Sequence, residues 1–145
     1  VYAWLLVQTL KDGQETEVVG ILLVTHNGLG ASLADCVSHV LGEMPKNLKV
    51  LSVWAEEDPQ HKLFEGEELI KELDGGGGVL ILADVFGATP SNIGRRLCHA
   101  ERVEGVAGVN LPMLLRVVCS TNKTLLELAD IAIEGGRECI VRMEH

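Results

Sequence analysis

Four short runs of branched aliphatic residues, VVGILLVT (18–25), NLKVLSVW (47–54), VLILAD (79–84) and VEGVAGV (103–109), punctuate the chain. The apolarity of the first is nearly continuous rather than alternating, which marks a strand buried on both faces of a parallel sheet. Between them lie segments with apolar residues at helical spacing. Leu33, Cys36, Val37, Val40 and Leu41 mark one over 30–42, and Leu63, Leu69, Ile70 and Leu73 mark another over 62–73. Further helices are expected at about 90–101, from Asn110-Leu111-Pro112 toward Cys119, and at about 122–135, the last ending at Gly135-Gly136. Strands alternating with helices pack as an α/β fold: an open three-layer sandwich around a mostly parallel sheet, with right-handed crossovers and the common strand order 2-1-3-4. ECIVRM (138–143) reads as a C-terminal edge strand, and Asp74 with Gly75 to Gly78 as a turn, since the glycine run precedes a strand and lacks the Lys-Ser/Thr of a phosphate loop.

The 145 residues fit one domain over 18–145, preceded by residues 1–17 as an extension, an extra strand or docking segment. That extension has no basic leader, so no signal peptide is expected. With 3% aromatic residues, the core must be made of Val, Ile, Leu and Ala. A net charge of −9 argues against nucleic acid, whose binding rests on neutralising phosphates. No run approaches the ~20 apolar residues of a membrane span. Cys36, Cys98, Cys119 and Cys139 are scattered without a CxxC pair, which fits a reducing cytoplasm better than a disulfide framework. No metal or cofactor is required by the residues seen.

Ligands of open parallel sheets bind beyond the carboxyl ends of the strands. THNGLG follows the first strand and DVFGATPSN the third, so neighbouring strands would bring His26 and Asp84 to one rim. A carboxylate accepting one imidazole N–H leaves the other ring nitrogen nucleophilic, and it stabilises the positive charge formed when that nitrogen attacks. Thr89 suits an N-cap and Pro90 the first helical position. The backbone amides over 90–92, with Thr89, Ser91 and Asn92, then form a phosphate-binding helix start, which Gly28 and Gly30 let the backbone approach. Capping alone would also explain these residues. No GxSxG elbow, GxGxxG or HExxH accompanies them. His39, His61 and His99 read as surface residues.

On ILLVTHNGLGASL, VLILADVFGATPSN and VAGVNLPMLL, the chain resembles the enzyme IIA component of the mannose-type sugar phosphotransferase system over about residues 18–142. The resemblance implies that His26 accepts a phosphoryl group from phospho-HPr and hands it to enzyme IIB. It also implies that Asp84 orients His26 and that Thr89 supplies a phosphate-contacting hydroxyl. It further implies a cytoplasmic homodimer in which the C-terminal strand crosses between subunits, with an indirect link to membrane IIC and IID. Two features depart from the family: Gly87-Ala88-Thr89-Pro90 stands where Gly-Gly-Ser-Pro is usual, and residues 1–17 precede the usual start. The alternative reading is a stand-alone regulatory module in which phosphorylation of His26 controls binding to a signalling or transcription partner.

Overall fold

The computed structural model describes residues 17–144. The extension expected over 1–17 therefore lies, Glu17 apart, outside the described residues. Nine elements follow in order: β1 (Gly20–His26), α1 (Leu29–Leu41), β2 (Leu48–Val53), α2 (Pro59–Leu73), β3 (Val79–Ala83), α3 (Thr89–Leu97), β4 (Val103–Ala107), α4 (Leu111–Val118) and α5 (Leu125–Glu138). The four strands form one parallel sheet in the order β2-β1-β3-β4. The expected architecture and strand order are both present.

Side-chain alternation within the central strands explains why they are apolar throughout. Ile21 and Leu23 of β1, with Leu80 and Leu82 of β3, pack against Val37 of α1, Leu114 of α4 and Leu128 of α5. Leu22 and Val24, with Val79 and Ile81, face the opposite layer, where Ile93 and Leu97 of α3 and Leu73 of α2 close the core. All four apolar residues over 21–24 are fully buried. Each such side chain contributes roughly 1.5–3 kcal/mol of transfer free energy. The sheet is thus the rigid plate on which the loops at its carboxyl edge are mounted.

Three local expectations are corrected. First, α3 starts one residue earlier than expected, with Ala88 as its N-cap and Thr89 as its first helical residue, so Pro90 stands second. It also ends at Leu97 rather than near 101. His99 N–H bonds to Val103 O at 3.1 Å, and Glu101 takes a left-handed φ of 70°, turning the chain into β4.

Second, α5 does not end at Gly135-Gly136 but runs through both to Glu138. These glycines serve close packing: a Cβ on Gly136 would lie 2.8 Å from Met113 Cε, and one on Gly135 3.0 Å from Arg116 Cδ. Third, residues 139–144 form no strand. The helix has taken up the start of the expected strand, and Ile140, Val141 and Met143 remain exposed.

The buried side of α2 also holds a surprise. Lys62, only 5% exposed, lies there and is neutralised by Glu57 at 3.1 Å and Glu65 at 2.7 Å.

The glycine run forms a turn, as expected, and Asp74 organises it. One carboxylate oxygen accepts the N–H groups of Gly76 and Gly78 at 3.0 and 3.1 Å, while the other pairs with Arg102 at the entry to β4. Asp74→Ala is expected to lower the unfolding free energy by about 2 kcal/mol, the scale of hydrogen bonds to a charged group. Urea unfolding at neutral pH reads it, and an unchanged midpoint would contradict this account of the turn.

Candidate functional site

β1 and β3 are paired with Val24 opposite Ala83, so both strands release their chains at the same level of the sheet. There the two candidate residues meet. Asp84 Oδ2 accepts the backbone N–H of His26 at 2.8 Å and lies 2.8 Å from His26 Nδ1. Asp84 Oδ1 accepts the N–H of Val85 at 2.9 Å. One carboxylate oxygen therefore holds the same residue by its main chain and by its ring.

The electrostatics assign the tautomer. Partial burial works to raise the Asp84 carboxyl. The N–H bond from the His26 backbone, the His26 ring and the Val85 N–H outweigh it, and hold the group below the ordinary carboxylate value. An ionised carboxylate only accepts hydrogen bonds, so Nδ1 carries the proton and donates it. The lone pair is left on Nε2, to which no bond is made among the described residues. The His26 side chain is 46% exposed and that of Asp84 9%, so the carboxylate is sheltered and the ring is open.

The turn after β1 is tight. Asn27 adopts a left-handed φ of 48°, and its N–H reaches back to Val53 O at 3.0 Å. Gly28 is the N-cap of α1, and a Cβ there would meet nothing within 4 Å, so the approach over this residue is open. Beneath it, Thr25 Oγ1 accepts the N–H of Gly30 at 2.8 Å. Thr25 is not among the residues expected at the site; its one signal in the sequence is a hydroxyl in a buried strand, five residues before a glycine in the first turn of a helix.

The start of α3 is more committed than its sequence implies. Ser91 is buried, and its hydroxyl accepts the N–H groups of Gly87 and Ala88 at 2.9 and 3.2 Å while donating to Ala88 O at 2.9 Å. Asn92 N–H already bonds to Ala88 O at 3.0 Å, and Pro90 has no N–H. Of the amides over 90–92, only that of Ser91 remains outside these bonds. The Thr89 hydroxyl is exposed and makes no bond among the described residues. The exposed Asn92 side chain instead borders a shallow surface with Arg95 and Arg96. His39, His61 and His99 are all exposed. Among the described residues, no three His, Cys, Asp or Glu side chains gather in a metal-binding group, and no helix is long and apolar enough to cross a membrane.

The depressed Asp84 carboxyl fixes the sign of a pH dependence. Its contribution to stability is complete above the unfolded carboxylate value of about 4 and is lost as pH falls through the lower folded value. The difference in unfolding free energy between wild type and Asp84→Asn is therefore expected to shrink as pH falls below about 4. Paired urea titrations measure it; a difference that fails to shrink below about pH 4 would contradict the assignment.

Comparison with known proteins agrees with this fold. The family described as "PTS system fructose IIA component" matches residues 20–132. The chain is 29% identical over 123 residues to the PTS system mannose-specific EIIAB component of Escherichia coli (strain K12), covering 83% of this chain and 38% of that protein. It is 28% identical over 102 residues to the PTS system fructose-specific EIIA component of Bacillus subtilis (strain 168), covering 70% of this chain and 69% of that protein. The chain thus spans 38% of the length of the mannose-specific relative. Among solved structures, the mannose/sorbose specific IIA subunit from Enterococcus faecalis superposes with a TM-score of 0.78 at 21% identity, covering 88% of this chain and 96% of that one. Component EIIA from Streptococcus agalactiae gives 0.77 at 20% identity, covering 86% and 96%. With the fold, the strand order and the family match in agreement, the chain belongs to the PTS system fructose IIA component family.

Proposed function

We propose that this chain is a phosphoryl carrier of a sugar phosphotransferase system, with His26 Nε2 as the acceptor atom. The observation that carries the reading is the double hold of Asp84 Oδ2 on His26, which fixes the ring and leaves Nε2 outward. Family membership supports the reaction class and, through the family resemblance, phospho-HPr as donor, while the EIIAB name of the mannose-specific relative supports a IIB component as acceptor. The Nε2 lone pair attacks phosphorus in line as the N–P bond to the donor histidine breaks, and the donor ring keeps the bonding pair. The His26 ring becomes positively charged with Nδ1–H still bound to Asp84, whose carboxylate stabilises that charge without taking the proton. Transfer onward to IIB reverses these events. Such a step needs positioning and charge stabilisation more than covalent work by side chains. The exposed Thr89 hydroxyl and the Ser91 amide are the groups we assign to the phosphoryl oxygens.

With enzyme I, HPr and labelled phosphoenolpyruvate, the wild-type chain is expected to take up one acid-labile phosphoryl group and His26→Ala none. Asp84→Asn is expected to slow uptake on the order of 100-fold. Equal labelling of wild type and His26→Ala would overturn the reading.

We also infer that the chain works as a homodimer in which residues 139–143, beyond the end of α5, pair with the neighbouring subunit. Among the described strands β4 stands at the edge of the sheet, with β3 as its one neighbouring strand. A groove of about 500 Å³ runs beside β4, lined in part by Phe86, Gly105, Ile133 and Ile140. The apolar tail beyond α5 has the composition to fill such a groove. Sedimentation is expected to give twice the monomer mass for the wild type and the monomer mass for a variant ending at Glu138. A monomeric wild type would overturn the inference.

A further inference from the structure

Thr25 stands where packing alone would be served by valine. It is fully buried in β1, between the apolar run over 21–24 and the exposed His26. Its hydroxyl accepts the N–H of Gly30 at 2.8 Å. Gly30 lies in the first turn of α1, where N–H groups lack acceptors within the helix. The N-cap position holds Gly28, which has no side chain to supply one. Thr25 therefore does from the strand what a capping residue ordinarily does from the helix terminus.

The contact is close enough to be specific. A Cβ added at Gly30 would lie 2.7 Å from Thr25 Oγ1 and 2.8 Å from Val50 Cγ1. Strand end and helix start are thus pinned together beneath residues 26–29, and the span between them is left little choice. Asn27 is held in the left-handed region, an uncommon conformation for a residue other than glycine. His26, one residue before it, presents its backbone N–H and its ring nitrogen to a single oxygen of Asp84.

We propose that Thr25 is a positioning residue for His26: its hydroxyl, accepting the Gly30 N–H, holds the β1–α1 turn in the conformation that lets the backbone N and Nδ1 of His26 both reach Asp84 Oδ2. Thr25 acts through the turn, not by contact with the phosphoryl group. Only the kinetic half of its test rests on His26 being the phosphoryl acceptor.

Thr25→Val removes the acceptor while preserving shape, Gly30→Ala forces the same contact apart from the other side, and Thr25→Ser keeps the hydroxyl. Nitrogen–proton correlation spectra of the unphosphorylated full chain at mildly alkaline pH report the ring tautomer of His26. Wild type and Thr25→Ser are expected to show one Nδ1–H tautomer with a slowly exchanging proton. Thr25→Val and Gly30→Ala are expected to show mixed tautomers and rapid exchange.

Phosphoryl uptake from phospho-HPr is expected to fall on the order of 10- to 100-fold in Thr25→Val and Gly30→Ala, as for a small misplacement of a reacting group, and to stay near wild type in Thr25→Ser. A folded Thr25→Val with the wild-type tautomer would overturn the proposal. So would a Thr25→Ser that behaves like Thr25→Val, since the lost methyl would then be responsible. Should Thr25→Val fail to fold, Gly30→Ala and Thr25→Ser carry the test. A disturbed tautomer in a chain that never accepts phosphoryl, even as wild type, would sink the phosphoryl-carrier reading while leaving the positioning role standing.

Discussion

A single oxygen atom, Oδ2 of Asp84, receives both N–H groups that His26 can offer, one from the backbone and one from the ring. That convergence requires the ends of β1 and β3 to be neighbours in register. Slipping the pairing by one residue would turn every side chain of β1 to the wrong face, moving the Ile21 and Leu23 set into the layer built for Leu22 and Val24. Burial of the central strands on both sides therefore specifies the site as well as the fold. The core sets the register, the register brings the two strand ends together, and the carboxylate then selects the tautomer.

Around that pair, hydroxyl groups divide into two kinds. Thr25 and Ser91 are buried and close the two loops at the rim from within, each accepting backbone N–H groups near a helix start that has no capping side chain of its own. Thr89 is exposed and unengaged among the described residues. Buried hydroxyls tied to the backbone make a loop rigid, because breaking such a bond leaves a donor without water or partner. An exposed hydroxyl beside a rigid loop is free to meet a ligand. The arrangement lets a half-exposed histidine be well oriented without being enclosed, as the proposed carrier role requires.

The strands and the strand order were legible because continuous apolar runs separated by helical periodicity leave few packings. The meeting of His26 and Asp84 followed from that order together with the rule that strand ends carry sites. Helix ends were less legible. Thr89 has every attribute of an N-cap, yet the hydroxyl of Ser91, reaching back to Gly87 and Ala88, organises the helix start from inside and leaves Thr89 in the first turn. Gly135-Gly136 reads as a stop signal, but their role is to admit Met113 and Arg116 of α4 against α5. Local propensity cannot tell a glycine that ends a helix from one that lets another helix come close, because the deciding atoms belong to a distant segment.

The sequence by itself determined the layered α/β fold, the sheet order and the two residues at its rim, since these depend on apolar patterning and on which residues follow each strand. Tertiary structure alone decided how His26 is held. The shared oxygen of Asp84, the support of Thr25 beneath the turn and the commitment of the Ser91 hydroxyl are all set by approaches of a few ångströms between atoms. Such distances are fixed only when the core has packed and the backbone amides at each helix start have found their acceptors.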